Sequence, residues 1–218
     1  ELAMLYSQQG IDELVFLDIT ATIEKRKTLA ELVKRIAANI NIPFTVGGGI
    51  GSVADVALLL QNGADKISVN TAAYNNPKLI SELSSAFGSQ CIVLAIDTKK
   101  ETDGGWYVYL NGGRTKTQTK TIDWAKQAID NGAGEILLTS MNNDGTKNGF
   151  ALDITAALSN SLPVPVIASG GAGKIEHFKD VFEIANADAA LAASIFHYNE
   201  IQIPALKKYL QPFVNIRI

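Results

Sequence analysis

Short apolar runs alternate along the chain with stretches whose apolar residues recur every three to four positions. The first pattern is that of a buried parallel strand, and the second that of an amphipathic helix packed over it. Strands are predicted at Leu14–Asp18, Phe44–Val46, Lys66–Asn70, Ile92–Asp97, Glu135–Thr139, Val164–Ala168 and Ala189–Ala193. Helices are predicted near residues 1–9, 28–39, 52–62, 77–87, 121–131, 151–158, 175–184 and 201–210. Ser52 stands as the N-cap of the third helix, and Asp123 lies in the first turn of the fifth.

An internal repeat organises these elements. DELVFLDI (12–19) aligns with GEILLTSM (134–141), and VGGGI (46–50) with ASGGA (168–172), both 122 residues apart. DKISVNTAA (65–73) aligns with DAALAASIF (188–196) after a drift of one residue. A repeat of that length is half of a βα barrel. The expected fold is therefore an α/β (β/α)8 TIM barrel built from two four-strand halves, with residues 1–218 forming a single domain. The chain opens on a helix, although every helix of such a barrel follows a strand. The repeat also places the mirror partner of IVLAID (92–97) before Glu1. The first strand is thus expected to be absent from the chain as given.

Composition narrows the class without changing it. With 218 residues, 47% of them hydrophobic, the chain can bury one sizeable core. It is slightly shorter than the roughly 250 residues usual for this barrel. A net charge of −3 leaves no basic footprint, so nucleic acid is not an expected partner. No apolar stretch is long enough to span a bilayer, and no signal peptide opens the chain. The lone Cys91 offers no disulfide framework, which suits a reducing cytoplasm.

Two glycine-rich turns carry the strongest chemical signal, Gly47-Gly48-Gly49 and Ser169-Gly170-Gly171. Each is followed some twenty residues later by a strand ending in a small or polar pair, Asn70-Thr71 and Ala193-Ser194. Glycines let a backbone approach a phosphate, and N–H groups at a following helix N-terminus bind the dianion. Gly48, Gly49, Asn70, Thr71, Gly170, Gly171, Ala193 and Ser194 are the expected phosphate ligands. Two symmetry-related turns imply a substrate with a phosphate at each end. Asp97 ends an apolar strand whose Val93 and Ala95 share its face, which places a carboxylate at the C-terminal mouth for general acid–base work. Asp18, Asp144 and the inward-facing Thr139 are weaker candidates for substrate contact.

Glu13, Lys66 and Glu135 each open a strand with inward parity. Such charges must pair, and at the N-terminal mouth they form either a structural plug or a gate. The segment 106–117 alternates around Asn111-Gly112-Gly113, a hairpin in the fifth loop. Its neighbours Arg114 and the nearby lysines read as solvated charge more readily than as phosphate ligands. His177 and His197 lack a partnered nucleophile and read as solvated or capping residues. No Cys/His cluster has metal-ligand spacing, and no metal or cofactor is expected.

The strings FLDITAT and EKRKT (16–28), IPFTVGGGI (42–50), GADKISVNTAA (63–73), AIDTK (95–99), GAGEILLTSMNNDGTKNG (132–149) and ASGGAGKIEHF (168–178) resemble the cyclase subunit of imidazole glycerol phosphate synthase. The resemblance covers essentially the whole chain. It implies a lyase of histidine biosynthesis that adds ammonia to a bis-phosphorylated ribulosyl-formimino aminoimidazole carboxamide nucleotide. The products are imidazole glycerol phosphate and aminoimidazole carboxamide ribotide.

In that family two aspartates, ending the first and fifth strands, act as general acid and base. Asp97 matches the second. The first would precede Glu1, so the chain as given is expected to be inactive alone. Asp18, Thr139 and Asp144 match positions lining the active site. The family also implies a glutaminase partner on the N-terminal barrel face, forming a heterodimer. Glu13, Lys66 and Glu135 match three of four residues gating the ammonia passage. Two departures stand out: Asn142-Asn143 replaces a common Asp-Arg, and Asn111 replaces His or Ser. The related phosphoribosyl-formimino isomerase shares the repeat, but would carry glycine at position 70 and neither EKRKT nor GKIEHF. A truncated, non-catalytic phosphate-binding barrel is the third reading.

Overall fold

The computed structural model describes residues 1–18 and 23–217, with the side chains of 23–28 left undescribed. Residues 19–22 of the FLDITAT string, and the side chains of EKRKT, therefore lie outside the described residues. Contacts group the chain into two compact units, Glu1–Leu94 with Asp130–Gly134, and Ala95–Ile129 with Glu135–Ile218.

The first unit contains α1 (Leu2–Gln8), β1 (Leu14–Leu17), α2 (Ile23–Ala37), β2 (Phe44–Gly47), α3 (Val53–Gln61), β3 (Lys66–Val69), α4 (Thr71–Asn75), α5 (Lys78–Phe87) and the start of β4 (Ile92–Lys100). Its strands pair in parallel in the order β1–β2–β3–β4, with Leu17 opposite Gly47, Gly47 opposite Ser68 and Val69 opposite Leu94. Helices between the strands make this pairing possible, since parallel neighbours need a long crossover. Phe44, Val46, Val56, Ile67, Ile80, Leu83 and Ile92 are each at most 1% exposed. α3 starts where expected: Ser52 Oγ accepts the Asp55 N–H at 3.2 Å, and Asp55 Oδ2 accepts the Gly51 N–H at 3.1 Å.

The second unit contains the end of β4, β5 (Trp106–Leu110), β6 (Thr115–Lys120), most of α6 (Thr121–Asp130), β7 (Glu135–Ser140), α7 (Leu152–Ser159), β8 (Val166–Ser169), α8 (Ile175–Glu183), β9 (Ala189–Leu191), α9 (Ser194–His197) and α10 (Ile203–Leu210). The order is β4–β7–β8–β9, and β5 pairs antiparallel with both β4 and β6. Phe150, Phe178, Val181, Ile195, Leu206 and Leu210 form the core beneath α8 and α10, with the Phe150 and Phe178 rings edge to face at 5.5 Å. This α/β arrangement is the (β/α)8 TIM-barrel class that the pattern predicted.

Several boundaries differ from the sequence expectation. β4 runs three residues past Asp97 because β5 pairs with its extension, Asp97 lying opposite Tyr109. β8 begins at Val166, since Pro165 has no N–H to give to the ladder. β9 stops at Leu191, and the pairs Asn70-Thr71 and Ala193-Ser194 do not end strands. Each pair instead opens a one-turn helix, α4 or α9, too short to show periodicity.

The repeat is written into the hydrogen bonds. Asp65 N donates to Phe44 O and Phe44 N to Asp65 Oδ2, both at 2.8 Å. In the second unit Asp188 N donates to Val166 O at 3.0 Å and Val166 N to Asp188 Oδ2 at 2.8 Å. Each ring ties the first N–H of a strand to the residue that leads into the next strand. Removing either carboxylate leaves a buried N–H without its acceptor. Asp65→Ala and Asp188→Ala are each expected to cost about 1–2 kcal/mol in urea denaturation; an unchanged midpoint in both would refute this role.

Candidate active site

Because β1 to β4 run parallel in the first unit, and β7, β8 and β9 in the second, the C-terminal ends of each set collect on one edge. In the first unit that edge carries Asp18, Gly48, Gly49, Asn70 and Thr71, after β1, β2 and β3. Gly48 and Gly49 adopt φ of +108° and +61°, in the left-handed region. A Cβ on Gly48 would stand 1.7 Å from the Asp18 carbonyl oxygen. The turn therefore lies flat against the end of β1, where Asp18 N donates to Gly47 O at 2.8 Å.

The second unit repeats this construction at the ends of β7, β8 and β9, with Thr139, Asp144, Gly170, Gly171, Ala193 and Ser194, while Asp97 lies within β4, three residues before its end. Gly170 and Gly171 have φ of +88° and +107°. A Cβ on Gly170 would meet Ser140 O at 2.9 Å and the Asp144 Cβ at 3.2 Å, so Asp144 is brought directly against the glycine turn. Asp97 shares its strand face with Val93 and Ala95, while Leu94, Ile96 and Thr98 on the other face are at most 1% exposed. Met141 N donates to Thr98 O at 2.8 Å, which sets the end of β7 beside the end of β4. Thr139 lies opposite Ser169 across β7 and β8.

At the opposite edge of the first unit, Lys66 Nζ stands 3.1 Å from Glu13 Oε2 and forms the expected ion pair. Glu135 opens β7 in the second unit, as placed by the sequence. His177 is the capping histidine: its Nδ1 accepts the N–H groups of Gly173 at 3.2 Å and Lys174 at 3.3 Å. It occupies the place that Asp55 holds in the first unit. Arg114 and His197 are exposed. Among the described residues no group of three His, Cys, Asp or Glu is arranged to hold a metal, and no helix is long and apolar enough to cross a membrane.

The histidine biosynthesis protein family matches residues 1–202. The imidazole glycerol phosphate synthase subunit HisF of Cytophaga hutchinsonii is 62% identical over 96% of this chain and 83% of its own length. The protein of the same name from Bacteroides thetaiotaomicron is 61% identical over 96% of the chain and 83% of its own. That of Phocaeicola vulgatus is 58% identical over 100% and 87%. The chain belongs to the histidine biosynthesis protein family.

Some features of this family member were not legible beforehand. The hairpin was expected, but its packing was not. The buried Thr98 hydroxyl donates to Tyr107 O at 3.2 Å and shares a short hydrogen bond with Thr121, fastening the hairpin base to the start of α6. A cleft of about 420 Å³ opens beside that base, lined by Lys100, Trp106, Asn142, Phe150 and Asp153 among others. Its polar groups are turned on one another: Lys100 Nζ and Trp106 Nε1 donate to Asp153 Oδ2 at 2.7 and 3.2 Å, and Asn142 Oδ1 accepts the Lys100 N–H at 2.8 Å. Burial pushes the Asp153 carboxyl up, but these hydrogen bonds outweigh it and the net shift is downward.

Along the hairpin, Tyr109 Oη donates to Glu101 and Tyr107 Oη to Asp103 Oδ2 at 2.8 Å. The Tyr109 hydroxyl, then Lys116, hold the Glu101 carboxyl below its usual range. The Gly105 N–H, then Tyr107, do the same for Asp103. The same bonds push both phenols up. A lowered carboxyl stabilises the hairpin above its unfolded pKa and stops doing so as pH falls through the folded value. A raised phenol stabilises it below its unfolded pKa and stops as pH rises through the folded value. Trp106 fluorescence in a Trp124→Phe background should therefore be flat from about pH 5 to about pH 9 and change outside that window; a transition centred near neutrality would contradict the assignment.

Proposed function

We propose that the protein is the ammonia-dependent cyclase of imidazole glycerol phosphate synthase, a cytoplasmic lyase working beside a glutaminase subunit. The observation that carries this reading is the duplicated glycine turn, one per unit, each followed by a strand and a one-turn helix. Gly48, Gly49, Asn70 and Thr71 take one phosphate of the substrate, and Gly170, Gly171, Ala193 and Ser194 take the other. Backbone N–H groups at such turns bind a dianion without needing a basic side chain.

Asp97 is the general acid–base that this chain contributes. Adding ammonia to the ribulosyl-formimino nucleotide, closing the imidazole ring and expelling the ribotide each move a proton. A carboxylate near the C-terminal end of a strand is suited to that traffic. Thr139, Asp18 and Asp144 are further substrate contacts. Glu13, Lys66 and Glu135 belong to the passage that admits ammonia, with the Lys66–Glu13 pair as its movable element. The related isomerase shares the phosphate sites but takes up no ammonia, so this ion pair and Asn70 favour the cyclase.

Turnover of the bis-phosphorylated substrate by the full gene product, in ammonium salt without glutaminase, tests the reading. Asp97→Asn is expected to lower kcat at least about 100-fold with little change in KM. Failure of the unaltered protein to turn over, at its full mass, would move the reading to a phosphate-binding barrel without this activity. Lys66→Ala should leave ammonium-dependent turnover intact while uncoupling turnover from glutamine hydrolysis in the complex. Unchanged coupling would remove Lys66 from the passage.

A further inference from the structure

The loop between β7 and α7 converges on one side chain that the sequence offered only as a departure from its relatives. All four polar groups of Asn143 are engaged. Its N–H donates to Ser140 O at 3.2 Å, and its carbonyl accepts the Thr146 N–H at 3.0 Å and the Thr146 hydroxyl at 2.6 Å. Its side-chain Oδ1 accepts from Ser140 Oγ and its Nδ2 donates to Gly149 O, each at 2.8 Å. A carbonyl cannot donate, so the amide has only one workable orientation. Ser140 itself is 1% exposed, which makes it a fixed anchor for that amide.

The residue gripped by Asn143 is the one that touches the glycine turn. Gly149 N donates to Gly171 O at 2.8 Å. A Cβ on Gly171 would stand 2.0 Å from Gly149 O and 2.9 Å from the Asn143 Cβ, so turn and loop are in direct contact. Gly149 is thereby held from both sides, its carbonyl by Asn143 and its N–H by Gly171. It has φ of +103°, a conformation with little intrinsic preference to keep it in place.

We propose that Asn143 is a positioning residue for the second phosphate site, fixing the Gly170-Gly171 turn through Gly149. The proposal rests on the reading of that turn as a phosphate site. Without the Nδ2 donor, Gly149 is held from one side only, and the turn loses part of the wall that positions it for the anion. Because phosphate is a remote handle of the substrate, the loss falls on binding and not on the proton-transfer step. The cleft beside the hairpin carries no comparable inference, since its polar groups are already engaged with one another.

The test is an amide-resolved NMR titration of the full chain with inorganic phosphate, following Gly49 and Gly171. The unaltered protein should show saturable shifts at both glycines. Asn143→Ala should weaken the Gly171 response by about tenfold, as for one lost hydrogen bond, and leave Gly49 within twofold. Ser140→Ala, which keeps the Nδ2 donor but frees Oδ1, should give a smaller loss at Gly171 alone, and guards against a fold defect in the first variant. In turnover, Asn143→Ala should raise KM with kcat unchanged. Full retention of the Gly171 response in both variants would overturn the proposal. Absence of any response in the unaltered protein would instead overturn the phosphate reading beneath it.

Discussion

A strand that ends in a turn can lay that turn over its neighbour only if nothing projects from the turn into the neighbouring backbone. At Gly48 the distance from a hypothetical Cβ to the Asp18 carbonyl is 1.7 Å, and at Gly171 the corresponding distance to Gly149 O is 2.0 Å. Any side chain at these two positions must push backbone against backbone. The turns that result lie flat at the strand ends, with Gly48, Gly49, Gly170 and Gly171 all in the left-handed region. The proposed phosphate role depends on that steric condition, because an anion can approach main chain only where side chains are absent. The positions of Asp18, Asp144 and Ser140 are then consequences, because these are the residues on which the turns are seated.

The two units meet the same condition with different supports. In the first, α3 is capped by Ser52 and Asp55 immediately beyond the turn. In the second, His177 replaces the aspartate, and its Nδ1 serves as the acceptor for the two N–H groups ahead of α8. The reciprocal rings of Asp65 with Phe44 and Asp188 with Val166 are nearly superimposable in their distances. What duplication conserved here is backbone geometry. The enforcing side chain is the same at Asp65 and Asp188 and differs at Asp55 and His177.

Asp97 stands at the point where a parallel strand becomes one arm of an antiparallel hairpin. Tyr109 pairs with it across that hairpin, and Thr98 beside it is buried and bonded to Tyr107 and Thr121. The carboxylate is therefore mounted on a segment held from both sides, as the proposed acid–base role requires. Asn143 does for the Gly170-Gly171 turn what the hairpin does for Asp97.

Much of this was written in the linear sequence. The strands and longer helices show in the period of their apolar residues, because burial on one or two faces dictates that period locally. The repeat, the glycine turns and the face that Asp97 shares with Val93 and Ala95 are equally local, and even Asp65 and Asp188 stand at matching places in the aligned halves. The one-turn helices α4 and α9 left no trace, since a single turn has no period. The roles of Asn143, of Thr98 with Thr121, and of Lys100 with Asp153 also emerged only from the folded chain. Periodicity records which face of an element is apolar. Which polar atoms satisfy one another depends on register and loop path, and those are set by packing among residues far apart in the chain.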